Sequence, residues 1–169
     1  MRLRDTGRVP AVLALAAFLA VVASSGSPLQ AETDSLVADA VVAHEPVQLV
    51  VDRLRERLGI TELVHVSVLP RVTLVVSVEA PQTADRGYVL SIEQAFLERL
   101  SPPEVEAAIA HELGHVWVFT HHPFLQTEPL ANRIAQRVVP RDSLASVYRK
   151  LWAHGQTTEG DIDALLGPP

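Results

Sequence analysis

The order of apolar and polar residues predicts a small sheet in the middle of the chain and a series of helices around and after it. Valine-rich segments of alternating polarity predict strands at residues 63–69, 71–78 and 88–92. Apolar residues at helical spacing, bounded by Ser, Gly and Pro, predict helices. These helices span residues 46–58, 93–100, 102–121, 128–138 and 143–154, with a turn or two at 162–166. The pattern therefore predicts an α+β fold, with residues 46–169 as a single domain.

The helix at residues 102–121 has the strongest local signals. Ser101 is a favourable N-cap, Pro102 suits the first helical position, and Glu104 completes a capping box. The helix is apolar on almost every side, which is typical of a buried helix. Its apolar residues are Ala107, Ala108, Ile109, Ala110, Leu113, Val116, Trp117, Val118 and Phe119.

Two histidines and a glutamate interrupt this apolar helix, as His111-Glu112-x-x-His115. Residues four apart leave the same face of a helix, so both imidazoles can bind one metal ion. Glu112 lies close by without having to bind the metal, where a general base can take a proton from the attacking water. Zinc suits imidazole ligands, and three polar side chains in a buried helix are costly unless a metal satisfies them. The motif predicts a catalytic Zn²⁺ site that needs a third protein ligand.

His121 and Glu128 are the two candidates for the third ligand. His121 has the histidine spacing of the metzincin pattern, but Val118 stands where that pattern needs a glycine to turn the chain. Glu128 follows a tight turn, and an antiparallel helix would bring it opposite the two histidines. The alternative is that Glu128 is an exposed acid at a helix start, favoured by the helix dipole. Asn132 would lie on the same face and could orient a ligand imidazole.

The motif and its surroundings resemble the gluzincin zinc metallopeptidases, whose pattern is H-E-x-x-H followed by E-x-x-x-(D/N). Residues 88–116 are similar to the approach to the metal helix in HtpX-type peptidases, and residues 128–140 are similar to a stretch of ImmA/IrrE-type peptidases. The resemblance implies a minimal zincin-like α+β fold, with a small sheet packed on the metal helix and on the following Glu-bearing helix.

The same resemblance implies roles for individual residues. His111, His115 and Glu128 would hold zinc, and Glu112 would activate water. The strand at residues 88–92 would be an edge strand that pairs with an extended peptide. Gluzincins also use a downstream residue to steady the oxyanion, and the residues available for this role are Tyr148, His154 and Arg141.

The first 31 residues have the plan of a secretory signal peptide. Three arginines precede an unbroken apolar run at residues 11–23, and a polar tail of small residues follows. We expect cleavage after Ala31, with Ala23 or Ser25 as alternatives, and an uncleaved anchor as the competing interpretation. Residues 32–45 are expected to be a loose lead-in, with a short helix as the alternative. The protein is then secreted or periplasmic in a bacterial envelope, with no integral membrane span once the signal is removed.

Composition restricts the partners. The chain has a formal net charge of −6, a single lysine (Lys150) and no cysteine. A nucleic-acid surface would need clustered basic residues, so we expect no nucleic-acid partner. Without cysteines the fold has neither disulfides nor a lipoprotein anchor, and its core and the metal must stabilise it.

These observations predict an exported zinc metallopeptidase that acts on peptides or proteins, an endopeptidase in preference to an exopeptidase. The alternative is a catalytically silent zinc-binding module of the same fold that acts as an envelope interaction protein. A structural zinc site has four protein ligands, whereas a catalytic one keeps a position for water. The number of protein ligands therefore discriminates between the two.

Overall fold

The computed structural model describes residues 33–81, 87–154 and 160–169, with side chains from residue 45 onward. The predicted signal peptide, residues 1–31, lies outside the described residues. Within the described ranges, no helix is both long enough and apolar enough to cross a membrane.

Three strands and six helices make up the described part of the chain. In chain order they are α1 (Thr33–Leu58), β1 (Val64–Leu69), β2 (Val76–Glu79), β3 (Tyr88–Glu93), α2 (Gln94–Leu97), α3 (Pro102–His121), α4 (Glu128–Ala135), α5 (Arg141–Ala153) and α6 (Ile162–Leu166). The predicted α+β class is confirmed.

Helix α3 lies at the centre of the fold. It contacts α1, α4, α5 and β2. Its burial follows from its sequence, because a helix that is apolar all round must be covered on several sides. Most of its side chains from Ala107 to Val118 are buried. The helix therefore holds any polar side chain that it carries in a well-defined position.

The start of α3 is anchored as the capping box predicts. The Glu104 carboxylate accepts hydrogen bonds from the backbone N–H and the hydroxyl of Ser101, each at 2.7 Å. It also accepts from Ser146 Oγ and from Lys150 Nζ, each at 2.6 Å, which joins α3 to α5. Burial opposes ionisation of Glu104, but the hydrogen bonds from Lys150, Ser146 and Ser101 outweigh it and lower its pKa to about 2.

The sheet has the order β1-β3-β2, with β1 parallel and β2 antiparallel to β3. The prediction that the strand at residues 88–92 is an edge strand is therefore wrong. This strand, β3, is central, and its alternate residues Tyr88, Leu90 and Ile92 are buried. Strand order depends on contacts between distant segments, which the pattern of a single short strand does not contain.

The two edges of the sheet are different. On β1, the Gln48 side chain from α1 pairs with the backbone, donating to the Val64 carbonyl and accepting from the Val66 N–H, each at 2.9 Å. The Gln48 amide thus pairs with two backbone groups at the outer edge of β1, as a neighbouring strand would. The edge strand beside α3 is β2.

Several element boundaries differ from the predictions. Helix α1 begins at Thr33 and contains Pro46, so helical backbone covers most of the segment that was expected to be a loose lead-in. Proline removes one helical hydrogen bond, whereas the alanines that precede it, Ala38, Ala40 and Ala43, favour a helix.

The other differences are shorter or shifted elements. Strand β2 is limited to the four residues that pair with β3. Helices α2 and α4 end at Leu97 and Ala135, before the predicted residues. Helix α5 begins at Arg141, two residues before the predicted start, with Pro140 in the N-cap position. Asp142 lies in the first turn, where an acid suits the helix dipole.

Candidate metal centre

Helices α3 and α4 bring three side chains to one point. His111 Nε2 lies 3.2 Å from His115 Nε2, 3.3 Å from Glu128 Oε2, and His115 Nε2 lies 3.5 Å from Glu128 Oε1. All three residues are buried, with exposed fractions of 3%, 4% and 7%. His111, His115 and Glu128 form a group that could hold a metal ion.

The spacing of these atoms fits zinc. Zinc lies about 2.0–2.1 Å from imidazole nitrogen, so two ligands at tetrahedral angles are about 3.3–3.4 Å apart. The two Nε2 atoms are 3.2 Å apart, and each faces a different oxygen of Glu128, at 3.3 Å for His111 and 3.5 Å for His115, so all three distances are close to this value. The donor set, two imidazoles and one carboxylate, is also that of a catalytic zinc site with three protein ligands.

Hydrogen bonds fix both imidazoles with Nε2 directed at the cluster. His111 Nδ1 donates to Asn132 Oδ1 at 2.8 Å, and His115 Nδ1 donates to Gln126 Oε1 at 3.4 Å. With each Nδ1 carrying the proton of a neutral ring, both Nε2 atoms present lone pairs. They face each other and the Glu128 carboxylate, whose Oε2 accepts no hydrogen bond from the described residues. A cation would satisfy such a cluster of acceptors.

The pKa shifts of His111 and Glu128 also indicate that the cluster favours positive charge. Burial would lower the pKa of His111, but Glu128, Glu112 and Asn132 raise it. Burial would raise the pKa of Glu128, but His111 and His115 lower it to about 2. A divalent cation satisfies this preference, and Glu128 stays ionised as a ligand must.

Glu112 differs from the three cluster residues in its contacts. It is 2% exposed, and its Oε1 has no hydrogen-bond partner in the described part of the chain. Burial raises its pKa, and the nearby Glu128 adds to the effect, while His111 and His115 oppose it. A carboxylate with a raised pKa and a free oxygen is suited to accept a proton.

The structure brings Glu128, and not His121, to the histidines. His121 is exposed, its ring is stacked on Trp117 at a centroid distance of 4.1 Å, and its Nδ1 lies 2.9 Å from the Trp117 carbonyl oxygen. Val118 continues the helix, so His121 points away from the cluster, as the sequence suggested.

Of the three candidates for steadying an oxyanion, the structure brings Tyr148 to the site. Its ring centroid lies 5.9 Å from that of His111, and its Oη accepts a hydrogen bond from Asn132 Nδ2 at 2.8 Å. Burial, with Glu128 as the next cause, raises its pKa, so the hydroxyl keeps its proton.

The other two candidates lie elsewhere. His154 pairs with Glu93 at 3.4 Å and contacts Arg99 at 3.3 Å, and Arg141 binds Asp163. Glu93 ends β3, Arg99 follows α2, and Asp163 lies in α6, so these contacts hold neither residue at the metal cluster.

A small apolar cavity lies beside His111, Glu112 and Tyr148. Its remaining lining is aliphatic and comes from β2, α3 and α5: Val76, Ala108, Leu144, Val147 and Leu151.

Two further residues shape the site without having been predicted. Gln126 holds His115, and a loop amide at no fixed spacing gives no sequence signal. Gly114 lets the two ligand-bearing helices meet, because an added Cβ would overlap the carbonyl oxygen of Ala131 and lie 2.9 Å from its carbonyl carbon. A signal for Gly114 existed, since glycine inside a helix is unfavourable and needs a packing reason.

The comparisons with known proteins give one structural likeness to report. The fold is similar to the crystal structure of the metallopeptidase zymogen of Pyrococcus abyssi abylysin, with 19% sequence identity and a TM-score of 0.48. The alignment covers 65% of this chain and 95% of that one. No protein-family model and no curated protein sequence matches the chain.

Proposed function

We propose that the protein is an exported zinc-dependent peptidase, in which His111, His115 and Glu128 hold the metal and Glu112 is the general base. The observation that carries the proposal is the cluster itself. Three buried side chains place possible metal ligands within 4.8 Å of one another, and a glutamate with an unpaired oxygen is their neighbour. Bound zinc would lower the pKa of water to near neutrality and polarise a peptide carbonyl.

Different residues carry out the proton transfers and stabilise the charge that develops in the proposed reaction. Glu112 accepts the proton of the attacking water and returns it to the amine of the leaving group. Tyr148 is the residue that we assign to the oxyanion, because its hydroxyl stays protonated and its ring lies beside that of His111. Asn132 and Gln126 keep the two imidazoles in the tautomer that directs Nε2 inward.

We propose that the substrate is an extended peptide segment that pairs with β2. Gln48 already occupies the outer edge of β1, whereas β2 is an edge strand that packs beside α3. Val76 of β2 and Glu112 line the same small cavity, so a peptide along β2 would pass close to the general base. Binding along a strand favours internal peptide bonds and hence an endopeptidase.

Export is part of the proposal and rests on the signal-like residues 1–31. The protein would then act in the periplasm or outside the cell.

The test is Glu112→Gln, assayed for zinc content and for cleavage of unfolded protein substrates. We expect zinc to be retained, because Glu112 is not a ligand, and hydrolysis to fall by about 10²–10⁴-fold, the usual contribution of a general base. Glu106→Gln on the same helix is the matched control, because it removes only an exposed ion pair with Arg53. Cleavage by Glu112→Gln at the wild-type rate would exclude the mechanism.

The alternative, a catalytically silent zinc module that binds an envelope partner, is favoured by one observation. The loop between α3 and α4 exposes Phe124 by 97% and Leu125 by 55%. Such exposed apolar side chains are typical of interaction surfaces. A wild-type protein that binds zinc but cleaves none of a broad set of unfolded proteins and peptides would support this alternative.

A further inference from the structure

The amide of Asn132 is held from three directions. Its Oδ1 accepts from His111 Nδ1 at 2.8 Å, and its Nδ2 donates to Tyr148 Oη at 2.8 Å and to the Leu165 carbonyl oxygen at 3.2 Å. The residue is fully buried. A flipped amide would turn its oxygen towards the Leu165 carbonyl and its NH₂ towards the imidazole N–H, losing these bonds. The Leu165 carbonyl therefore helps to select the orientation that serves His111.

Leu165 belongs to a short C-terminal segment, residues 161–167, that is tied down by side chains of α4 and α5. Gln136 Nε2 donates to the Leu166 carbonyl at 3.0 Å. Arg141 donates to the Gly167 carbonyl from Nε at 3.0 Å and from Nη2 at 2.7 Å, and it also pairs with Asp163. A helix as short as α6 is not stable alone, so these contacts and the buried Leu166 side chain hold it in place.

We infer that the C-terminal segment positions the metal centre: Arg141 and Gln136 fix the segment, its Leu165 carbonyl orients Asn132, and Asn132 orients His111. The inference rests on the zinc site of the proposed function. It also accounts for an amide at position 132. An aspartate could accept from His111, but it would have no N–H to offer to Leu165 or Tyr148.

The first experiment compares Arg141→Gln with Arg149→Gln in the full chain. Both arginines lie on α5, but Arg149 is exposed and makes no ion pair with another described residue. We expect Arg141→Gln to speed hydrogen exchange at residues 165–167 and to weaken zinc binding by about 3–10-fold, measured by chelator competition. This is less than the roughly 10–100-fold cost of removing a residue that holds a ligand directly. Arg149→Gln should change neither.

The second experiment repeats Arg141→Gln in an Asn132→Asp background. The aspartate keeps the acceptor for His111 but has no donor for the Leu165 carbonyl. The C-terminal segment is then no longer linked to His111 through residue 132. We expect Arg141→Gln to cause no additional loss of zinc affinity there. A loss of the same size in both backgrounds would show that Arg141 acts by general destabilisation and would overturn the inference.

A chain that ends at Gly160 is the stronger variant, because it removes the Leu165 carbonyl altogether. If this chain folds and binds zinc within twofold of wild type, the inference is wrong, whatever Arg141→Gln does. Zinc affinity and not hydrolysis is the measured quantity. A protein that binds zinc but cleaves nothing would refute the proposed function and still test this inference, whereas a wild-type chain without zinc affinity would overturn both.

Discussion

The start and the middle of α3 each bury a glutamate, and the two glutamates are in opposite electrostatic situations. Glu104 accepts hydrogen bonds from Ser101, Ser146 and Lys150, and its pKa is lowered to about 2. Glu112, two turns along the helix, has a raised pKa and an oxygen without a hydrogen bond from the described residues. A buried acid with every partner present stabilises the fold. A buried acid with one oxygen left unpaired indicates chemistry.

This difference predicts that removing each charge has a different consequence. Glu112→Gln should lower hydrolysis by about 10²–10⁴-fold and leave stability unchanged or raised, because burial disfavours the charged carboxylate. Glu104→Gln should leave the chemistry intact and destabilise the fold. Urea unfolding and peptide hydrolysis, both measured on both variants, separate the two roles. If Glu104→Gln lost hydrolysis but kept its full stability, the roles assigned to the two glutamates would be wrong.

Gly114→Ala should have the next largest effect. Alanine normally stabilises a helix interior by about 1 kcal/mol relative to glycine. Here the added Cβ meets the Ala131 backbone, so α4 must move and take Glu128 away from the histidines. We expect a loss of about 1–3 kcal/mol in the free energy of unfolding, as for an overpacked core, together with weaker zinc binding.

The control for Gly114→Ala is Ala131→Gly in the same background. The overlap involves the backbone of residue 131, so shortening its side chain should not restore zinc affinity. A Gly114→Ala protein that is more stable than wild type and binds zinc equally well would show that the helices do not depend on this contact.

The stabilising contribution of Glu104 should depend on pH. Its pKa is lowered in the folded protein from an ordinary value of 4.5 to about 2. A lowered pKa stabilises the fold above pH 4.5, and this contribution disappears as the pH falls towards 2. We expect Glu104→Gln to cost about 1–3 kcal/mol at pH 7 and progressively less below pH 4.5, by urea unfolding of both proteins. A cost that is independent of pH would mean that packing, not charge, is lost.

The smallest effect should come from Gln126→Ala. Its bond to His115 is long, at 3.4 Å, and it lies on an exposed loop, whereas Asn132 is fully buried and holds His111 at 2.8 Å. We expect a few-fold loss of zinc affinity for Gln126→Ala and about 10–100-fold for Asn132→Ala, both measured by chelator competition. Equal losses would mean that the two histidines are equally dependent on their partners.

The sequence predicted the features that local rules determine. Ser101, Pro102 and Glu104 marked the start of α3, and two histidines one turn apart marked the metal site. Glu128 could be placed because a tight turn between two helices leaves few alternatives. These signals lie within short segments, where spacing and capping preferences decide the geometry.

The features that the sequence did not predict depend on contacts between distant segments. The central position of β3 follows from its pairing with two other strands. His154 lies away from the metal cluster because it pairs with Glu93. The Leu165 carbonyl that orients Asn132 is a backbone atom, so no residue type signals it. Pro46 suggested a helix start, yet α1 continues through it.

The most direct test of the zinc site is the metal content of the purified protein, measured for wild type beside Glu128→Ala. We predict about one zinc per chain in wild type, lost or much weakened in the variant, because the carboxylate supplies one of three protein ligands. Zinc retained at wild-type affinity in Glu128→Ala would assign the third ligand to another residue. A wild-type protein that binds no zinc would contradict the metal centre as a whole.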